Sequence, residues 1–301
     1  MTTRKKVLLG IAGIYIVAMF IVILIFGATR RDNAEFQPQN EFKLDSWVDL
    51  PGPLDLNKGV LYVVLAAVLT VITMVYIANR MQARPNRTQT AVETVYAFIR
   101  DDIVGGNMDD KMARKWFPFL CTLFLFIWFS NLIGYIPLPT NSAEKIDLGF
   151  IELPAFAIYA ATANISIPLV LTLVVWFSYH VEGIRAKGFV PYFAGWLPPG
   201  LEEMSPFGKA AIFLIEVISH FVRLISLSVR LFANILAGHL LLLFMGGGLA
   251  VLLGIAALGA LTFPLAFAFF IFEVGLVATL QAFIFSTLTA IYIGGATSAA
   301  H

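Results

Sequence analysis

Apolar and polar positions alternate along this chain in blocks too long for a soluble fold. Apolar runs cover Val7 to Ala28, Val60 to Ala78, Phe117 to Ile136 and Pro154 to Tyr179, followed by a nearly unbroken stretch from Ala210 to Ile293. A helix crosses a hydrocarbon core about 30 Å thick with roughly 20 apolar residues. The pattern predicts an all-α integral membrane protein with five or six hydrophobic helices.

The intervening segments set the expected topology. Arg30 to Lys58 is polar and contains proline, so it reads as a loop. Asn79 to Lys115 carries Arg80, Arg84, Arg87, Arg100, Lys111, Arg114 and Lys115 and also reads as a loop. Its basic character places it in the cytoplasm. Phe117 to Ile136 then spans outward, Pro137 to Glu152 is an outer loop, and Pro154 to Tyr179 returns. His180 to Lys209, rich in Gly and Pro, is a second cytoplasmic loop, and the C-terminus is cytoplasmic too. The first run has Arg4, Lys5 and Lys6 before it and Arg30 and Arg31 after it. Two readings stand for it. One is an uncleaved helix; the other is a cleaved signal, whose apolar region is usually about 7–15 residues.

In the last third the one strong break is Gly246-Gly247-Gly248, and Pro264 is a weaker one that can be a kink. The expectation is a hairpin of two long helices, Ala210 to Met245 and Leu249 to Ile293. At ~1.5 Å per residue they measure ~54 and ~68 Å, so they must tilt steeply or kink, as a surface following a curved partner would. The chain divides accordingly into 1–58 (N-terminal helix and outer loop), 59–209 (three membrane helices with cytoplasmic loops) and 210–301 (the long tilted hairpin).

Composition agrees. Of the 301 residues 59% are hydrophobic and 13% charged, against about 25% charged in soluble domains, and mean hydropathy is +0.85. The net charge of +1 gives no reason to expect a nucleic-acid partner. The single cysteine, Cys121, lies in an apolar run, which leaves no disulfide framework or cysteine metal site. No histidine pairs with another at i, i+4, and no phosphate-binding glycine loop or nucleophile with a base is found. We therefore expect no cofactor, no metal and no catalysis by the chain alone.

Ionisable residues within the apolar runs are the candidate chemistry. At about 100° per residue, Glu216, His220, Arg223, Arg230 and Asn234 fall within about 40° of one line on the first hairpin helix, and His239 lies near the opposite face. The second helix carries Glu273 and Gln281. A charge at a helix centre costs about 2.5–3.5 kcal/mol on insertion scales, so such residues point to function. Plainer readings compete: Glu216 and Arg223 can snorkel to the interface, His239 can be a structural hydrogen-bonding group, and Glu273 a paired structural acid. Asn131 and Asn164 serve equally well as helix–helix glue. Arg230 is the hardest to explain structurally. Arginine keeps its proton in proteins, so it is a fixed positive charge, whereas Glu and His can relay protons. Glu216 and His220 on one side of Arg230, with His239 and Glu273 beyond it, resemble two half-paths separated by an electrostatic barrier.

Ser226-Leu227-Ser228-Val229-Arg230-Leu231-Phe232-Ala233-Asn234-Ile235-Leu236-Ala237-Gly238-His239 resembles the signature of subunit a of F-type ATP synthases. So do Glu216-Val217-Ile218-Ser219-His220-Phe221-Val222-Arg223 and Leu280 to Thr289, with fainter echoes at Asn131 to Pro137 and Thr162 to Ile165. The likeness runs from about Val92 to Thr297. It implies an ion-conducting stator subunit in a bacterial-type inner membrane, partnered by a subunit c ring, the peripheral-stalk subunit b, the remaining synthase subunits and the bilayer. Arg230 would be the essential charge facing subunit c, bordered by Asn234 and Gln281. Glu216 and His220 would serve the inner path, and Glu273, with His239 in a position often acidic, the outer one. Gly134 stands where some relatives carry an acid, and the Glu273–Gln281 spacing differs by one, which would turn Glu273 by ~100°. A stand-alone proton-coupled secondary transporter is the rival reading; it would usually show paired internal repeats, and none is evident. The choice between H⁺ and Na⁺ lies mainly with the partner ring.

Overall fold

The computed structural model describes residues 13–17, 20–21, 42–48, 55–79, 81–82, 84–147, 152–197, 204–248, 250–251 and 256–298. The expected first span, Val7 to Ala28, lies outside the described residues except at 13–17 and 20–21, which are helical. The chain divides into two compact units.

The larger unit comprises Ser46–Ile136, Ala160–Leu236 and Val277–His301. A short antiparallel pair, β1 (Ser46–Val48) and β2 (Leu56–Asn57), leads into helix α1 (Lys58–Asn79). Asn57 Oδ1 accepts the Val60 N–H at 3.1 Å, satisfying a donor the first turn leaves open. Helix α2 (Arg87–Phe98) starts the same way, with Asn86 Oδ1 accepting the Gln89 N–H at 2.7 Å. It widens into a π-helical stretch over Ile99–Gly105 and is followed by α3 (Asp110–Ile133).

The segment expected as a loop from Asn79 to Lys115 is thus largely helical. Its basic residues drew attention to charge and hid a helical repeat. Val92, Val95, Ile99 and Ile103 recur every three or four residues and turn inward, with Ile99 and Ile103 fully buried, while Arg87, Thr90, Thr94 and Arg100 are exposed.

After a 3₁₀ turn at Ala161–Ala163 comes α4 (Ser166–Lys187), then the short α5 (Phe189–Ala194). The fourth span therefore begins and ends later than Pro154 to Tyr179. Helix α6 (Pro206–Leu243) follows, and α8 (Ala278–Thr297) closes the unit. Its core is a continuous apolar cluster that includes Leu120, Phe124 and Ile127 of α3, Val175 of α4, Leu227, Leu231 and Ile235 of α6, and Phe285 and Ile293 of α8.

The smaller unit holds Pro137–Tyr159 and Ala237–Leu276 beside the N-terminal residues. Strands β3 (Leu138–Asp147) and β4 (Glu152–Ala157) pair antiparallel from Leu138 opposite Ala157 to Asp147 opposite Glu152. The expected outer loop is therefore a β-hairpin, and the apolar residues just after Pro154 belong to a strand. The end of α6 turns at Phe244–Gly248, where Gly247 has φ 146°, open only to glycine without strain. Helix α7 (Ala256–Phe272) contains Pro264 without ending there. A π-helical turn, Glu273–Val277, then joins α7 to α8.

Among the described residues, five helical segments are long and apolar enough to cross a bilayer: Lys58–Asn79, Asp110–Ile133, Ser166–Lys187, Pro206–Gly248 and Leu261–Thr297. The architecture is that of an all-α membrane protein. At ~1.5 Å per residue the 38-residue α6 is ~57 Å long, close to twice a hydrocarbon core.

Candidate functional site

Helix α6 carries most of the polar side chains singled out in the sequence, and the structure gives them different surroundings. In its first half, Glu216 and Arg223 are half-buried and His220 is buried. Tyr179 of α4 places its hydroxyl 2.9 Å from His220 Nδ1. His220 Nε2 lies 3.7 Å from Glu216 Oε1, and Arg223 Nη2 lies 3.5 Å from the same oxygen. The Arg223 guanidinium sits over the Tyr292 ring of α8 at 5.7 Å. These groups line an open cavity of about 540 Å³ with Lys187, Tyr192 and Trp196.

Arg230 and Asn234, about two and three turns beyond Arg223, are exposed. The helical wheel puts them in line with Glu216, but only the earlier part of that line is covered by α4, α5 and α8. Around them Ser226, Ala233 and Ala237 are also exposed, whereas Leu227, Leu231 and Ile235 point into the core. Arg230 has no hydrogen bond or ion pair with any other described residue. Gln281 of α8 is buried, at 5% exposure.

In the smaller unit His239 is buried and lines a cavity of about 290 Å³ with Phe42, Phe156, Leu242, Gly246 and Val251. Glu273 is buried at the first position of the π-helical turn. Its carboxylate lies against Gly238, where any Cβ would overlap it, so glycine leaves the room that the acid occupies. Because a π turn spaces its hydrogen bonds i to i+5, counting at 100° per residue fails between Glu273 and Gln281.

Two weaker candidates make hydrogen bonds within the chain. Asn131 is fully buried; its Nδ2 donates to the Ala278 carbonyl at 3.3 Å, and its Oδ1 accepts from the Thr162 hydroxyl at 2.7 Å. One turn earlier, Trp128 Nε1 donates to Thr279 Oγ1 at 3.0 Å. Asn164 precedes α4 and accepts the Ser166 N–H at 3.0 Å. At Gly134 a Cβ would overlap Ala160, so no acidic side chain fits there without moving that backbone.

Sequence reasoning missed the aromatic surroundings of His220. Tyr192 Oη lies 2.7 Å from His180 Nδ1, and the Trp196 ring stacks on His220 with centroids 4.3 Å apart. Burial pushes the Tyr192 phenol above its usual range, with a hydrogen bond from Trp196 opposing, so it stays neutral at physiological pH. The signal was a run of aromatics at Trp176, Tyr179, Tyr192 and Trp196 around the end of the fourth apolar segment. Also missed was the pair between Lys115 and the buried Glu182, which ties α3 to α4.

Long apolar helices with ionisable side chains enclosed between them define a multi-pass membrane protein. The family model described as ATP synthase A chain matches residues 60–294. The "ATP synthase subunit a" of Rubrobacter xylanophilus is 34% identical over 240 residues, 80% of this chain and 83% of that protein. That of Helicobacter pylori strain Shi470 is 38% identical over 238 residues, covering 78% and 87%, and that of Helicobacter acinonychis is 36% identical over the same length. The chain belongs to the ATP synthase subunit a family.

Proposed function

We propose that this chain is the ion-conducting stator subunit of a rotary ATP synthase, passing protons to and from carboxylates carried by a subunit c ring. The supporting observation is Arg230. It is a permanent cation within an apolar helix, exposed, and without an ion-pair partner among the described residues. Its neighbours on the helix surface, Ser226, Ala233 and Asn234, are exposed with it. A charge so placed calls for a carboxylate supplied from outside the chain. The small residues Ser226, Ala233 and Ala237 on the same face let another helix approach closely.

The other residues take roles on either side of this charge. Along α6, Arg230 follows His220 by ten residues and precedes His239 by nine, ~15 and ~14 Å of helix axis. Glu216 and His220 form the inner path, open through their cavity; His239 and Glu273 form the outer one; Asn234 and Gln281 flank the crossing point. A rotor carboxylate takes a proton from the outer path and gives it up on meeting Arg230, whose fixed charge favours the carboxylate and repels a proton moving straight through. Each proton crossing 100 mV supplies about 2.3 kcal/mol, released as rotation. The stretch 210–301 is the working hairpin, tilted to follow the ring. The basic segments and the C-terminus face the cytoplasm, and subunit b and the remaining synthase subunits are the further partners. A stand-alone transporter accounts less well for a cation that has no partner among the described residues.

Arg230→Ala tests this reading in the assembled enzyme in membrane vesicles. Proton-driven ATP synthesis should be lost while the complex still assembles. Synthesis at the normal rate would refute the role.

A further inference from the structure

The chain that follows α4 folds back on it, and this has a consequence for the inner path. Gly188 has φ 89°, which turns the backbone immediately after Lys187. Helix α5 then lies against α4, with the Tyr192 ring packed where Gly183 has no side chain, close enough that a Cβ there would overlap it. The Tyr192 hydroxyl is held on His180 Nδ1 at 2.7 Å. These contacts deliver Trp196 onto the His220 ring at 4.3 Å and 29°, and Phe213 stacks on Trp196 at 5.8 Å. Tyr179 supports the same imidazole, its ring 5.7 Å away at 25° and its hydroxyl 2.9 Å from Nδ1. His180 closes a further side at 5.0 Å.

We propose that this aromatic strap, with Tyr179 and Trp196 as positioning residues, fixes the His220 ring so that Nε2 is the nitrogen that exchanges protons with Glu216. The inference rests on the reading that Glu216 and His220 carry the inner path. The two ring nitrogens of an imidazole are distinct, and the bond made by one sets the work of the other. Here Nδ1 is taken by Tyr179, while Nε2 faces the Glu216 carboxylate at 3.7 Å. A half-turn of the ring would put carbon at both positions, and the stack on Trp196 opposes that rotation. The step is a simple transfer. The proton leaves a Glu216 oxygen and joins Nε2, giving a carboxylate and an imidazolium. The imidazolium then gives a proton to water in the cavity that both residues line, and returns to neutral.

The test measures passive proton conduction by the assembled complex in vesicles, with assembly quantified for each variant. Tyr179→Phe keeps the ring and removes only the hydroxyl; conduction should fall about fivefold, the rate equivalent of one ordinary hydrogen bond. Trp196→Leu should slow conduction, and Trp196→Phe should recover most of that loss. In a His220→Phe background neither Tyr179→Phe nor Trp196→Leu should lower the rate further. Unchanged conduction in Tyr179→Phe while His220→Phe is slow would overturn the strap and leave the inner path standing. Equal losses with and without His220 would reduce the strap to packing and overturn it as well. Unchanged conduction in His220→Phe would remove the path assignment itself, and the strap with it.

Discussion

Arg230 and Glu273 meet the problem of charge in hydrocarbon in different ways. The protein encloses the acid, with Gly238 giving up its side chain to make room. The base stays open on the surface, unpaired among the described residues. Glu216 takes a third course, sharing one carboxylate oxygen between Arg223 and His220. The close approach at Gly238 can be tested with the smallest possible change. Gly238→Ala should push the Glu273 carboxylate aside and cost about 1–3 kcal/mol, the usual range for an overfilled site. We expect a lower melting temperature of the purified complex together with slower proton conduction; wild-type values in both would mean that the acid has room to spare.

At the level of elements, the sequence carried most of the helices and fewer of their ends. Length and apolarity sufficed for α1, α3 and α6, because a segment that must satisfy its own backbone in lipid can only be a helix. The break at Gly246–Gly248 was legible because three glycines offer a backbone that no other residues do, and Gly247 uses it at φ 146°. Apolarity alone could not separate the strand Glu152–Ala157 from the helix beginning at Ser166, since buried strands and helices draw on the same side chains. Helix α2 was hidden under its own basic residues. The helical wheel alone could not give the exposure of Arg230 and Asn234, because it reports which residues share a side but not what covers it. The Asn131 contact was equally illegible, because it depends on α3 meeting the first turn of α8 at Ala278. Replacing that amide by an alkyl group of similar size leaves the Thr162 hydroxyl without its acceptor. Asn131→Leu should therefore destabilise the complex by about 1–3 kcal/mol, the cost of a stranded buried polar group. Thermal denaturation in detergent would measure it, and an unchanged midpoint would show that the contact contributes little.

At the scale of the molecule, two exposed faces differ among the described residues. That of α1 is apolar and branched, with Val64, Val71 and Ile72 half or more exposed. One face of α6 instead combines small residues with Arg230 and Asn234. If that face meets the rotor, single cysteines at Ser226, Ala233 and Ala237 should cross-link to subunit c in membranes. Cysteines at Leu227, Leu231 and Ile235 should not, because those positions are buried in the chain's own core. The reverse pattern would mean that the helix is turned the other way in the complex. The open guanidinium also bears on the chain's life before it is built into anything. Newly inserted and alone, it holds against fatty-acyl chains a cation with no partner among the described residues, a penalty of about 2.5–3.5 kcal/mol. Surplus copies made without rotor proteins should thus be poor long-term residents of the bilayer and ready prey for membrane proteases, so that supply of one component comes to be metered by the other.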